Sequence, residues 1–80
     1  MARYFFDFSS AGNSSKDEEG ADLPDMGAAH GAAIGALADA IRDIAIEGGK
    51  DQKFAIEVRD EFGPVLHVNA VLESKIFRKQ

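Results

Sequence analysis

Only one segment of this chain, residues 26–46, carries apolar residues at helical spacing, and the other patterned segments alternate with a period of two. A chain written this way folds as one helix laid on a sheet of antiparallel strands. Arg3 to Phe8 places Tyr4, Phe6 and Phe8 on one side and Arg3, Phe5 and Asp7 on the other. Lys53 to Asp60 alternates Phe54, Ile56 and Val58 against Ala55, Glu57 and Arg59, and Val65 to Glu73 returns after a loop over 60–64. A turn at Gly12-Asn13 leads to a short, charged edge strand around Ser15 to Glu18. Gly20 to Pro24 connects it to the helix, which Asp25 caps; Ile34, Leu37, Ile41 and Ile44 share a face with His30, Ala33 and Ala40, and Gly48-Gly49 ends it. The expected architecture is α+β over a single domain, residues 1–80: an antiparallel β-sheet of three to four strands in ββαββ order with one long helix packed on one face.

Eighty residues enclose one core. A lone core of this size typically supplies only about 3–5 kcal/mol, so small domains add disulfides, metal or a partner subunit. The chain has no cysteine, and its two histidines are too few for a closed structural zinc site. Self-association is the remaining support. A net charge of −5 opposes binding to a phosphate backbone, so no nucleic acid is expected. The helical segment contains His30, Asp39, Arg42 and Asp43 and is no membrane span, and the first residues lack the pattern of a secretory signal. The expected location is cytoplasmic.

Three blocks carry a resemblance: Arg3-Tyr4-Phe5-Phe6-Asp7, the turn Asp17-Glu18-Glu19-Gly20 with Leu23-Pro24-Asp25, and Phe54-Ala55-Ile56-Glu57-Val58-Arg59-Asp60. In order and spacing they resemble the DUF6894 family of short bacterial proteins, common in rhizobia and related proteobacteria. The resemblance implies a type of organism and no activity, and it brings no catalytic residues. Gly27, Gly31 and Gly35 stand where charged helix residues are expected in such relatives. The acidic turn and Leu-Pro step ahead of an alanine-rich helix are also similar to antitoxins of the HicB type, which would imply a partner toxin.

The candidate sites divide between chemistry and packing. Asp17, Glu18, Glu19, Asp22 and Asp25 supply oxygens of the kind calcium takes, but not at EF-hand spacing, and a solvated turn with a helix cap accounts for them. His30 and His67 could meet as a pH-sensitive contact or half a metal site, against the commoner case of a partly buried, hydrogen-bonded histidine. Gly27, Gly31 and Gly35 each cost about 1 kcal/mol in a helix relative to alanine, and a close backbone approach would justify them. None of the five serines lies in a nucleophile elbow.

These readings favour a non-enzymatic interaction or regulatory module, homodimeric, with an unknown protein partner and no cofactor. Phe5, Val65 and Val71 point to the sheet face that the helix does not cover, and with Gly27, Gly31 and Gly35 they are the expected interface. The rival is a small-molecule-binding or enzymatic domain with a pocket between protomers, in which His30, His67 and Asp7 are the polar groups.

Overall fold

The computed structural model describes residues 1–10, 12–46 and 52–78. Two long strands form the centre of one antiparallel sheet: β1 (Ala2–Ser10) and β4 (Gln52–Asp60) pair with Phe6 opposite Val58 and Phe8 opposite Ile56. Beyond β4 lies β5 (Gly63–Leu72), with Ile56 opposite Val68 and Glu57 opposite His67. The other side of β1 is shared by two short strands: β2 (Asn13–Ser15) pairs with its last residues and β3 (Ala21–Leu23) with its first. The edge strand expected around Ser15 to Glu18 is not formed there: the edge is made by Asn13–Ser15 and by Ala21–Leu23, which the sequence read as a connector, and Lys16 to Gly20 arch away between them. Gly12 takes the turn into β2 at φ 77°, a conformation that costs a side chain with a Cβ.

The helix α1 spans Met26–Ile46. Asp25 caps it: its Oδ1 accepts a bond from the Ala28 amide at 2.8 Å, satisfying one of the free donors of the first turn. The Gly48-Gly49 terminus lies outside the described residues. Ala29, Ala33 and Leu37 are buried, and Ala40, Ile41 and Ile44 are packed beside them. The expected Ala33, Leu37, Ala40, Ile41 and Ile44 are all in this stripe, but Ala29 joins it and His30 and Ile34 leave it, a rotation of about half a residue step. His30 and Ile34 are exposed, Ile34 by 49%. The cause is size: Ala29 and Ala33 let the helix backbone settle close on the sheet, and the bulkier Ile34 and His30, one position on, turn about 100° to the side.

Under α1 lie Tyr4, Phe54, Ile56 and Val58, with Leu66, Val68, Ala70 and Leu72 of β5 half-buried on the same face. Ile56 and Val58 are sealed almost completely, each contributing roughly 1.5–3 kcal/mol by burial. α1 packs on β4 and β5, and Phe8 of β1 extends the core sideways through a tilted ring contact with Phe54 at 6.2 Å.

The opposite face is not the apolar surface expected. Asp7, Glu57 and His67 lie in register across β1, β4 and β5, so the face is built largely of polar side chains. Phe5 is half-buried beneath the Arg59 guanidinium, 4.6 Å from its ring centre. Val65 is an extra residue where the β4–β5 register shifts at Val58/Arg59, and it is half-buried against the core. Only Val71 of the three remains exposed, at 56%. The case for a second apolar face therefore fails for Phe5 and Val65.

Candidate functional site

The densest polar cluster joins the acidic arch to the two central strands. Between the β2 and β3 pairings the Phe6 amide faces no strand, and Asp17 takes its bond instead, at 3.1 Å through Oδ2. The other carboxylate oxygen of Asp17 accepts the amides of Glu19 at 3.1 Å and Gly20 at 3.0 Å. The Asp17 amide donates to Asp7 Oδ1 at 3.0 Å, and Asp7 in turn receives Arg59 Nε at 2.9 Å. Arg59 Nη2 completes the ring by donating to the Asp17 carbonyl at 2.7 Å. One carboxylate thus replaces a missing length of strand, and one guanidinium locks it to β4.

The acidic residues do not act as a group. Asp17 is half-buried and committed to backbone amides, which corrects the reading of it as part of a solvated turn. Asp22 forms an exposed paired contact with Arg3, whose Nη1 also donates to the Glu19 carbonyl; Asp25 is the helix cap; Glu18 is exposed. Among the described residues, no group of three or more His, Asp or Glu stands where it could hold a metal ion.

Hydrogen bonds from Arg59 hold the Asp7 carboxyl below the usual carboxylate range, aided by the Asp17 amide. The Gly20 and Phe6 amides do the same for Asp17. Both carboxyls titrate lower in the folded chain than in the unfolded one, so folding gains stability from them above an unfolded pKa of about 3.9 and loses it as pH falls through the folded values. Urea unfolding is expected to give similar midpoints from neutral pH down to about pH 5 and a falling midpoint below about pH 4. The D17N variant should show a shallower acid decline than the parent, and parallel acid limbs would count against this cluster as the cause.

The three candidate polar groups are not brought to one place. Asp7 and His67 border a shallow depression on the polar face, with Glu57 between them in register. His67 Nδ1 is 4.0 Å from Glu57 Oε2, and its Nε2 is 3.0 Å from Asn69 Oδ1. His30 lies on the helix side, in a groove of about 400 Å³ formed with Met26, Gly27, Leu66, His67 and Val68. Each Asp7 oxygen accepts a bond, from the Asp17 amide and from Arg59, and both bonds favour its ionised form. Of the helical glycines, Gly27 touches this groove, while a Cβ at Gly31 or Gly35 would meet nothing within 4 Å. The role of Asp17 and Arg59 was missed on the sequence, where the one available signal was their place within the second and third resembling blocks.

The longest strand of the sheet is also its open edge. β5 runs ten residues without an Asp, Glu, Lys or Arg, and among the described residues no strand pairs on its outer side. The opposite edge is blunted by two strands of three residues each and by the charged arch between them. No helix is long and apolar enough to cross a membrane among the described residues.

A family described as a domain of unknown function (DUF6894) matches residues 3–71. No curated protein and no solved structure matches the chain.

Proposed function

We propose that this chain, which belongs to the DUF6894 family, is a non-enzymatic interaction module that works as a homodimer and meets a further protein partner in that form. The observation that carries the reading is the ten-residue, uncharged strand β5 left open at the sheet edge. Beyond Pro64 and the extra residue Val65, which blunt its start, the free amides and carbonyls of Leu66–Leu72 are strong, directional groups, and proteins that stay monomeric normally shorten, charge or cover such an edge. The reactive-looking groups argue the same way from the other side. Asp7, Asp17 and Arg59 spend their hydrogen bonds on one another and on the backbone, which suits a scaffold and leaves little for a substrate.

The rival reading, a pocket holding His30, His67 and Asp7, finds less support, since His30 and Asp7 border separate shallow depressions of the chain. Light scattering on the purified chain tests the homodimer. The expected mass in the micromolar range is twice the 8.6 kDa of one chain. A monomer at high micromolar concentration would overturn it.

A further inference from the structure

We propose that the second copy docks through β5 and the flank of α1: two β5 strands pair antiparallel about a two-fold axis, one sheet runs through both protomers, and the two helices lie side by side above it. This deepens the homodimer reading and rests on it.

Three observations on different elements fit that one arrangement. The first is charge. In a two-fold pairing, β5 is its own partner, and because the strand carries no Asp, Glu, Lys or Arg, no formal charge opposes another even though each chain carries −5 overall.

The second is spacing. α1 packs on β4 and β5 alike, with a smaller contact to β3, and on that ground we place its axis over the β4–β5 pair, half a strand step inside β5. Strands repeat at about 4.8 Å, so the two-fold copy sets the helix axes two steps apart, about 10 Å. Packed helices sit 8–10 Å apart. A foreign strand added to this edge would bring no helix to that place.

The third is the side chains that would fill the gap between helices. Helical rotation puts Gly27, His30, Ile34, Ala38 and Ile41 along the flank that overlooks β5. Ile34 is 49% exposed there, Met26 is 50% exposed, and the groove between this flank and Leu66 to Val68 is lined mainly by apolar groups. Small residues at Gly27 and Ala38 let the partner helix approach, and Ile34 is the apolar anchor. Strand pairing alone is marginal in water, and the helix layer supplies the second contact. Gly35 lies opposite the buried stripe, toward open space, and stands outside this surface, whereas Gly31, seven residues before Ala38, borders it.

The test uses the full chain and three variants, followed by light scattering across a dilution series and by circular dichroism. Ile34→Glu sets a charge between the helices while leaving the monomer core untouched, and should weaken the dimer by at least about 100-fold. Asn69→Lys combined with Val71→Lys places like charges across the paired strands on exposed positions, and should also yield monomer with an unchanged helix signal. Gly35→Ala, on the outer side, should remain dimeric. A parent that is dimeric while both charged variants stay dimeric would overturn this surface and leave self-association standing. A monomeric parent would overturn both.

Discussion

Replacing Asp17 with alanine should remove about 3 kcal/mol of stability, most of what a core of this size supplies. The substitution strips the acceptor from three backbone amides at once, those of Phe6, Glu19 and Gly20. The Phe6 amide is the costly one. It sits in the middle of β1, half-buried, where the neighbouring strands have already parted, so among the described residues no strand carbonyl of β2 or β3 pairs opposite it. Bonds to an ionised acceptor contribute about 1.5–3 kcal/mol each, and exposed Glu19 can recover its share from water. For a domain of 60–100 residues, a loss of about 3 kcal/mol lowers the melting temperature by about 12–24 °C. Asp17→Asn keeps one acceptor oxygen for Glu19 and Gly20 but cannot also accept from Phe6 through its amide nitrogen, so it should fall between parent and alanine. Thermal unfolding with both variants near the parent would show that the arch is held by something other than this carboxylate.

Gly20→Ala should cost a similar amount for a different reason. Gly20 adopts φ 73°, and a Cβ there would stand 2.9 Å from both the Tyr4 carbonyl oxygen and a Phe5 ring carbon, with Arg3 Cγ at 3.0 Å. The left-handed backbone costs a residue with a Cβ roughly 1–2 kcal/mol, and forcing apart β1 and the arch adds roughly 1–3 kcal/mol. Gly12→Ala separates the two contributions. Gly12 has nearly the same φ, 77°, but nothing within 4 Å of an added Cβ, so it should lose only the backbone part. Equal destabilisation of the two variants in urea would mean that the contact with Tyr4 and Phe5 yields freely. The loss at Gly20 should also weaken the Arg59 lock, because Phe5 is the ring on which that guanidinium rests.

Much of the fold was legible because it is encoded locally. Alternation places Phe54, Ile56 and Val58 on one side of β4, and all three are buried under the helix. The Asp25 cap needed only the neighbouring residues to be read. What escaped depends on partners far apart in the chain. The acceptor for Phe6 lies 11 residues downstream, and Arg59 reaches back 42 residues to the Asp17 carbonyl, so neither shows as a pattern in any window. The exchange of Ile34 for Ala29 in the buried stripe of α1 escaped for a related reason: hydrophobicity ranks Ile34 above Ala29, whereas close packing on the sheet at that turn takes the smaller side chain. Val65 was read on the wrong face because a register shift has no sequence mark in a run of apolar residues. The open edge itself was visible only once the strand order was known. β5 reads as an ordinary half-buried strand until it is found last in the sheet.

Amide hydrogen exchange along Gly63–Leu72, measured residue by residue at low and high protein concentration, reads the pairing of two β5 strands at its own hydrogen bonds. In an edge strand, alternate amides point to solvent and exchange freely, whereas in a paired strand both sets are protected. The outward set should become protected as concentration rises, along with a change at Ile34 on the helix flank. Outward amides of β5 that exchange equally fast at both concentrations, in a sample shown to be dimeric, would contradict it.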